Sequence, residues 1–306
     1  MSVMRLTFLG TGGGIPSVKR SLPSVAVSFS GHLIVFDCGE GTQRQMMKAG
    51  TGFKRDMIIF LTHLHGDHIL GLPGLIYTLS MLDRKHPLMI IGPPGTSSFI
   101  EAILSIKFGK LNYEIHVKEV LEGVAYESKE YVVEAVRADH TAPSLAYKLR
   151  ERDRPGKMKV EFLEELGLPK GPLWGKLQRG ETVEFRGETI RPEDAMGPPR
   201  PGRKIVYTGD TRPSDRIVEF SRGADVLIHD ATFGSEFEEE AAEEGHSTVR
   251  QAAEIALKAG VRRLYLFHLS PRYEGREGDL LKEARAVFPN SFLAEDLLSY
   301  EVPLRD

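Results

Sequence analysis

Positions 62–68 carry the sequence THLHGDH, which places three histidines and one aspartate within seven residues. Ordinary core or surface packing seldom produces such a density of ionisable side chains. An apolar run at 57–61 precedes the heptapeptide, and an apolar stretch at 69–77 follows it. We therefore predict a corner between a strand and a helix, with the four polar side chains grouped at the turn.

The polar side chains of this corner are potential metal ligands. His63 and His65 can point to one side of the turn, and Asp67 and His68 to the other, which suits two ions placed side by side. A hydrogen-bonded core histidine is the alternative interpretation of any one of them, but it does not account for four at this spacing. Because Cys38 is the single cysteine of the chain, any metal must be held by nitrogen and oxygen.

The bulk composition is that of an ordinary globular protein. The 306 residues could form one large domain or two modest ones, and 41% of them are hydrophobic. The N-terminus lacks a signal-peptide pattern and no apolar run reaches membrane-spanning length, so a cytoplasmic enzyme without a membrane partner is expected. The net charge of -3 argues against a uniformly basic nucleic-acid-binding protein. RNA would have to bind a local patch.

Short apolar runs and helical stretches follow one another along the chain, which predicts a layered α/β fold. Strands are predicted at 6–9, 25–28, 33–36, 131–138, 205–208, 226–229 and 264–267. Helices are predicted at 42–49, 69–82, 96–106, 248–259 and 280–288. In the second half, as in the first, predicted strands end in possible ligand or catalytic residues. This repetition suggests two sheets that meet at a shared edge.

Residues from about 151 to 203 change character, because they gain glycine, proline and many charges. We interpret this segment as an inserted arm. A disordered linker is the alternative. Helical spacing at 160–168 and strand-like alternation at 182–185 favour order in part of it.

Three further candidate ligands each lie just past a predicted strand, and they are His140, Asp210 and His268. Loops at strand ends are where a rigid scaffold presents functional side chains. Taken singly, each residue would more often be a capping or turn residue. Together with the heptapeptide, they supply the ligands that a site for two metal ions still lacks.

The motifs at 63–68, 140, 210 and 268 together resemble the five-motif signature of the metallo-β-lactamase superfamily. Other stretches are similar to the RNase Z family of tRNA 3′-processing endonucleases, and they lie at 10–16, 36–42, 71–75, 209–212, 229–233, 246–248 and 268–273. The resemblance covers nearly the whole chain. It implies an α/β fold, a four-layer αβ/βα sandwich with metals at one edge, formed by one domain (1–306) with the arm inserted at about 151–203.

The resemblance also implies a ligand set for two zinc ions per subunit. The resemblance implies that His63, His65 and His140 bind one zinc ion and that Asp67, His68 and His268 bind the other. Asp210 would bridge the two ions. Imidazole and carboxylate without thiolate suit zinc, with manganese or iron as alternatives. Two neighbouring ions can activate water and hold a phosphate oxygen, so phosphodiester hydrolysis is the natural reaction.

Three side chains are candidates for catalysis. Asp67 is the candidate general base as well as a ligand. His246 is the candidate acid for the leaving 3′-oxygen, and Asp230, where the family more often carries Glu, would orient it. Ser247 and Thr248 also suit helix capping, which is compatible with the catalytic interpretation of His246.

The segment 170–180 contains three basic residues, no acidic residue and the only tryptophan of the chain. Basic charge beside an aromatic ring suits an RNA backbone, although a solvated charged loop is the alternative. The segment resembles the Gly-Pro-containing tip of the RNase Z arm, which grips tRNA. The candidate contacts are Lys170, Gly171, Pro172, Trp174, Lys176 and Arg179.

Nearer the predicted metals, Lys19 and Arg20 lie in a loop similar to the family's Pro-x-Lys-Arg-Asn loop. This chain has one residue added before the lysine and Ser21 in place of the asparagine. Arg272 is a further candidate RNA contact. The acidic stretch 236–240 is predicted to be a solvated helix face without an RNA role, since acid repels phosphate.

These features predict a zinc endonuclease that removes the 3′ trailer from precursor tRNA. It would cut after the discriminator base and leave a 3′-hydroxyl on the tRNA and a 5′-phosphate on the trailer. We expect a homodimer that does not act on DNA. The alternatives are a broad-specificity phosphodiesterase or arylsulfatase-like hydrolase, a di-iron oxidoreductase and a catalytically silent RNA-binding module. The oxidoreductase would require a glutamate in the ligand run and a flavodoxin-like domain, neither of which is present.

Overall fold

The chain forms two compact units, which are Met1–Arg150 with Lys204–Pro303 and Glu151–Arg203 with Leu304–Asp306. The computed structural model describes residues 3–53, 56–106 and 109–305. Within these ranges, no helix has both the length and the apolar character needed to cross a membrane.

The larger unit contains two seven-stranded sheets. The strands of the first are β1 (Arg5–Gly10), β2 (Ser24–Phe29), β3 (His32–Phe36), β4 (Met57–Phe60), β5 (Leu88–Gly92), β6 (Ile115–Glu119) and β16 (Ser299–Glu301). They lie in the order β16-β1-β2-β3-β4-β5-β6. Pairing is antiparallel from β16 to β3 and parallel from β3 to β6.

The second sheet has the order β15-β14-β13-β12-β9-β8-β7. Its strands are β7 (Gly123–Glu127), β8 (Tyr131–Ala138), β9 (Ser144–Glu151), β12 (Lys204–Tyr207), β13 (Val226–Asp230), β14 (Leu264–Phe267) and β15 (Ser291–Leu293). Strands β12 to β15 are parallel, so their carboxyl ends meet at one edge of the sheet. Asp210 and His268 follow the ends of β12 and β14, and Asp230 is the last residue of β13.

The helices of the larger unit cover the outer faces of the sheets. They are α1 (Thr42–Ala49), α2 (Gly66–Ile69), α3 (Leu72–Met81), α4 (Thr96–Ser105), α8 (Asp215–Ser221), α9 (Glu238–Glu244), α10 (Val249–Ala259) and α11 (Glu277–Val287). An apolar core that includes Phe36, Phe60 and Tyr207 lies between the two sheets. Separate cores lie under α3 and under α10. The predicted four-layer αβ/βα sandwich is confirmed.

One predicted helix begins three residues later than the periodicity indicates. The apolar periodicity predicts a single helix at 69–82, but α2 ends at Ile69 and α3 begins at Leu72. At the break the N–H of Gly71 donates to the carbonyl of Cys38 at 2.9 Å, and a Cβ on Gly71 would lie 2.0 Å from the oxygen of Gly39. This close backbone contact, which only glycine permits, takes the N–H of Gly71 out of any helical hydrogen bond, and α3 starts directly after it.

The smaller unit contains three short helices and a hairpin. They are α5 (Val160–Glu165), α6 (Pro172–Gln178) and α7 (Pro192–Ala195), with β10 (Val183–Phe185) paired to β11 (Glu188–Ile190). Its core is formed by Leu163, Leu168, Leu177, Val183, Ile190 and Ala195. Trp174 packs against this core, and its indole N–H donates to the carbonyl of Leu168 at 3.2 Å.

The two ends of the segment that forms the smaller unit are paired by a buried ion pair. The guanidinium of Arg203 donates to both carboxylate oxygens of Glu151, at 2.7 and 2.8 Å. The N–H of Glu151 also donates to the carbonyl of Arg203 at 2.9 Å. Burial opposes ionisation of Glu151, but the hydrogen bonds and charge of Arg203 outweigh it and lower its pKa.

Candidate active site

The structure brings the seven predicted metal ligands together in two neighbouring groups. Within each group the potential ligand atoms all lie within 4.8 Å of one another. The groups are His63, His65 and His140, and Asp67, His68, Asp210 and His268. These side chains come from the heptapeptide and from the ends of β8, β12 and β14, as the sequence analysis predicts.

Asp210 lies at the centre of the two groups. Its Oδ2 is 3.6 Å from Nε2 of His63 and 3.3 Å from Nε2 of both His68 and His268. Burial opposes ionisation of Asp210, but the charges of His268 and His68 outweigh it and hold its pKa well below the ordinary value. One carboxylate therefore faces imidazoles of both groups.

Two buried atoms of this set have no hydrogen-bond partner among the described residues. They are Nε2 of His63 and Oδ1 of Asp210. A buried polar atom without a partner is destabilising, and such atoms call for an unseen ion or water. Burial also holds the pKa of His63 well below its ordinary value, which leaves the imidazole neutral and able to bind a metal. The donor set therefore fits bound cations.

His68 is oriented by Asp37, which the sequence analysis does not single out. Nδ1 of His68 lies 2.8 Å from Oδ2 of Asp37, so that Nε2 faces the other ligands. Asp37 also accepts from the hydroxyl of Tyr207 at 2.7 Å and from the N–H of Thr62 at 2.7 Å. The sequence signals for Asp37 are its place directly after the strand predicted at 33–36 and its position within the stretch 36–42 that resembles the RNase Z family.

Three of the other four histidines are held in the same way, with Nδ1 bound to a neighbouring hydroxyl or carbonyl. The partners of Nδ1 are the hydroxyl of Thr62 for His63 (2.9 Å), the carbonyl of Gly245 for His140 (2.8 Å) and the hydroxyl of Thr232 for His268 (2.9 Å). In His65, Nδ1 itself faces Nε2 of His140 at 3.2 Å. Such partners fix the ring orientation and tautomer of a metal-binding histidine.

His246 lies beside the ligand groups and is paired with Asp230. Its Nδ1 is 2.8 Å from Oδ2 of Asp230, and its ring centroid is 5.1 Å from that of His140 and 5.2 Å from that of His268. Burial opposes protonation of His246, but the charge and hydrogen bond of Asp230 outweigh it and raise its pKa to about 9. His246 is thus a half-buried imidazole whose protonated form is stabilised by Asp230.

Asp230 is itself held in place by three donors. The N–H and hydroxyl of Thr232 bind its Oδ1 at 3.0 and 2.7 Å, and the N–H of Thr211 binds its Oδ2 at 3.0 Å. The shorter aspartate side chain therefore reaches His246 at a position where the resembled family more often carries glutamate.

The glycine-rich loop near the N-terminus closes one side of the site. The N–H of Gly14 donates to Oδ2 of Asp67 at 3.0 Å. A Cβ on Gly13 would lie 2.3 Å from Nδ1 of His268, so this position tolerates no side chain. Burial opposes ionisation of Asp67, but the hydrogen bond from His268 and the nearby charges outweigh it and lower its pKa.

The predicted RNA contacts near the site differ in what their side chains do. Lys19 is exposed, with Nζ 3.8 Å from a carboxylate oxygen of Glu274. Arg20 instead points inward, and its Nη1 donates to the hydroxyl of Thr11 and to the carbonyl of Ala294, both at 2.7 Å.

Arg272 forms a two-point ion pair with Glu240, at 2.6 and 3.2 Å. Its guanidinium also lies 4.6 Å from the ring centroid of Phe237. The acidic stretch 236–240 is therefore more than a solvated face, since one of its carboxylates binds a basic side chain beside the site.

The predicted contacts of the arm belong to the smaller unit and to neither ligand group. Lys170 and Lys176 are exposed, and Nζ of Lys170 lies 5.7 Å from the ring centroid of Trp174. Arg179 pairs with Glu181 at 2.8 Å. Pro172 begins α6 and Gly171 is its N-cap residue, in the segment that resembles the tip of the RNase Z arm.

Comparison with known proteins agrees with this geometry. A family model described as "Beta-lactamase superfamily domain" matches residues 193–269, and one described as "Anti-Pycsar protein Apyc1" matches residues 4–152. Ribonuclease Z of Methanosarcina acetivorans is 49% identical over 303 residues, which cover 99% of each chain. Ribonuclease Z of Archaeoglobus fulgidus is 47% identical over 302 residues, which cover 98% of each chain.

Among solved structures, human tRNase Z (short form) is 30% identical with a TM-score of 0.72, and the match covers 98% of this chain and 100% of that one. The metallo-β-lactamase fold protein YhfI from Bacillus subtilis shares the fold at 19% identity, with a TM-score of 0.68 and coverage of 98% and 99%. Full-length identity at this level, together with the fold and the convergent histidine and aspartate side chains, shows that the chain belongs to the ribonuclease Z family of the metallo-β-lactamase superfamily.

Proposed function

We propose that the protein is a zinc-dependent endoribonuclease that removes the 3′ trailer from precursor tRNA. It hydrolyses the phosphodiester after the discriminator base and leaves a 3′-hydroxyl on the tRNA and a 5′-phosphate on the trailer. One observation carries the proposal: Asp210 faces imidazoles of two neighbouring groups of potential ligands, and the His246–Asp230 pair lies beside them. Full-length similarity to proteins named Ribonuclease Z supports the choice of substrate.

The metals are assigned to the two ligand groups. His63, His65 and His140 would hold one zinc ion, Asp67, His68 and His268 the other, and Asp210 would contact both. The unpartnered Nε2 of His63 and Oδ1 of Asp210 support this assignment, and manganese or iron would suit the same nitrogen and oxygen donors. When bound, two such cations supply positive charge that activates water and stabilises the phosphate.

The protein's own side chains then move the protons. Asp67 accepts the proton of the attacking water while the water oxygen bonds to phosphorus. The bond from phosphorus to the 3′-oxygen breaks, and His246 donates its proton to that oxygen. Asp230 binds Nδ1 of His246 and so directs Nε2 of the imidazole to the leaving group.

Recognition of tRNA is assigned to the smaller unit. The exposed Lys170 lies beside Trp174, with Nζ also 3.7 Å from a carboxylate oxygen of Glu164, and the exposed Lys176 adds a second positive charge. Such a surface suits backbone contact with a structured RNA. Gly171, Pro172 and Arg179 lie on the same surface segment. We further propose that the enzyme acts as a cytoplasmic homodimer and that Lys19 contacts the RNA end near the metals.

Cleavage mapping tests the central proposal. The zinc-loaded protein is incubated with a precursor tRNA and, in parallel, with an unstructured RNA of equal length. We expect a single cut after the discriminator base of the precursor, with a 3′-hydroxyl on the upstream product, and little cutting of the control RNA. Equal cutting of both would indicate a broad-specificity phosphodiesterase instead.

A matched pair of double variants tests the arm. Lys170→Ala with Lys176→Ala should raise the KM for precursor tRNA and leave hydrolysis of bis(p-nitrophenyl) phosphate unchanged. Lys258→Ala with Lys282→Ala removes the same charge from exposed positions on α10 and α11 and serves as the control. If both double variants raise the KM equally, the arm has no specific role in binding tRNA.

A further inference from the structure

We propose that Asp296 is a positioning residue that holds the glycine-rich loop against two of the metal ligands. The loop comprises residues 11–21 and is named the site loop below. Asp296 lies outside the ligand groups and outside every motif on which the sequence analysis depends. The inference rests on the proposed metal site, and it does not depend on tRNA as the substrate.

The carboxylate of Asp296 binds both ends of the site loop. Its Oδ1 accepts from the hydroxyl of Thr11 at 2.8 Å, and its Oδ2 accepts from the N–H of Ser21 at 2.7 Å. The N–H groups of Thr11 and Gly12 both donate to the carbonyl of Ser21 at 3.0 Å, which closes the loop at the same point. Asp296 therefore fixes the base from which the loop projects.

Neighbouring side chains strengthen this base. Nε2 of the buried Gln45 donates to Oδ2 of Asp296 at 3.0 Å and to the carbonyl of Leu9 at 2.7 Å. Arg20 donates to the same Thr11 hydroxyl that Asp296 accepts from. The inward direction of Arg20, unexpected for an RNA contact, is explained if its task is to hold Thr11.

Asp296 is presented by a turn that is tied to both sheets. The N–H of Ala294 donates to the carbonyl of Leu266 in β14 at 2.9 Å. The N–H of Leu297 donates to the carbonyl of Phe8 in β1 at 2.7 Å. A carboxylate anchored in this way has little freedom to move, so it sets the position of the loop that binds to it.

The far side of the site loop contacts the metal ligands. Gly14 donates its N–H to Asp67, and Gly13 packs on the ring of His268. The backbone of the loop also pairs with Leu269. The N–H of Gly13 donates to the carbonyl of Leu269, and the N–H of Leu269 donates to the carbonyl of Thr11, each at 3.2 Å. Both contacts fall on the group that contains Asp67 and His268. Loosening the loop should therefore lower the affinity of that group for its metal ion and leave the affinity of the other group unchanged.

The test uses the full-length protein without RNA. Asp296→Asn removes charge and one acceptor, Thr11→Val removes the shared hydroxyl at constant volume, and Thr11→Ser restores it. Asp225→Asn is the matched control, because Asp225 is a buried carboxylate that accepts the N–H of Lys204 at 2.7 Å. Two quantities are measured: amide hydrogen exchange of residues 11–21 in the metal-free protein, and the affinity of each zinc ion by competition with a chelator.

Asp296→Asn and Thr11→Val should speed amide hydrogen exchange in the site loop. Both should also lower the affinity for one of the two zinc ions by about tenfold, which is the low end for residues that support metal ligands. Thr11→Ser should behave as the wild type, and Asp225→Asn should lower only the Tm. Unchanged affinity for both ions in Thr11→Val would overturn the proposal, as would equal weakening of both. If Asp296→Asn does not fold, the two Thr11 variants decide the question. Failure of the protein to cut tRNA would leave these measurements intact.

Discussion

Replacing Asp37 by asparagine tests how the site is oriented. In the structure Oδ2 of Asp37 accepts from Tyr207 and lies 2.8 Å from Nδ1 of His68, while Oδ1 accepts the N–H of Thr62. Asparagine has nearly the same shape but only one oxygen. Its amide nitrogen must therefore face at least one of these donors, whichever way the side chain is turned.

The expected magnitude follows from the burial of these groups. Asp37 and His68 are both 0% exposed, so a donor that loses its acceptor finds no water in exchange. An unsatisfied buried donor costs about 1–3 kcal/mol, which should appear as a lower free energy of unfolding. Removal of a carboxylate that supports a metal-binding histidine typically lowers the affinity for the metal by about 10–100-fold.

The assay measures zinc affinity by chelator competition and the Tm of the metal-free protein. Tyr207→Phe is the control, because it removes one hydrogen bond to Asp37 and keeps the carboxylate that faces His68. Asp37→Asn should lose zinc affinity as well as stability, whereas Tyr207→Phe should lose mainly stability. If Asp37→Asn binds both zinc ions as tightly as the wild type, Asp37 does not orient His68 and the reasoning is wrong.

Three further predictions concern separate parts of the chain. His246→Ala should keep its metals but cut RNA about 10²–10⁴-fold more slowly. Its loss of activity on bis(p-nitrophenyl) phosphate should be smaller, because that leaving group needs no proton. RNA cleavage at the wild-type rate would exclude His246 as the acid. Gly13→Ala should displace His268 and lower zinc retention measured by chelator competition, and unchanged retention would contradict the contact. Glu151→Gln should lower the free energy of unfolding at pH 7 by about 3–5 kcal/mol because it breaks a buried ion pair. Arg203 lowers the pKa of Glu151 against the effect of burial, so the difference in stability from wild type should be largest above about pH 4.3 and shrink as the pH falls through the folded-state pKa. A difference independent of pH would refute this.

The grouping of the seven candidate ligands was predictable from the sequence for a physical reason. A buried cluster of histidine and aspartate is so costly without a metal that it leaves a dense local signal, as at 62–68. His140, Asp210 and His268 follow apolar runs that are easily recognised as strands, and the parallel order of β12 to β14 then brings strand ends to one edge. Local pattern and sheet topology together place these residues.

The supporting residues were not predictable in this way. Asp37 and His68 are separated by 31 positions, and Thr11 and Asp296 by 285. A single aspartate or threonine after a strand is common in turns and carries no local mark of its distant partner. These contacts exist only once the two sheets are packed, so one sequence without its fold does not reveal them.

Helix α6 of the smaller unit was not predicted from the sequence. The glycine and proline of 171–172 are typical of turns, yet here they lie at the start of α6, because proline is well suited to the first turn of a helix. Leu173 and Leu177 have the i, i+4 spacing of a helix face, and this signal was present in the sequence. It extends over less than two turns, which is too short to outweigh the Gly-Pro pair.

The site forms where the two sheets are joined by hydrogen bonds. The hydroxyl of Tyr147 in β9 donates to the carbonyl of Leu61 at 2.8 Å, and the N–H of Leu145 donates to the carbonyl of Thr62 at 2.9 Å. The hydroxyl of Tyr207 in β12 reaches Asp37 from the same sheet. Because these buried groups are satisfied only when the sheets pack, sheet packing and orientation of the heptapeptide are one event. The ligand groups should therefore be preformed in the metal-free protein, with metal binding adding stability to a site that the core already holds in place.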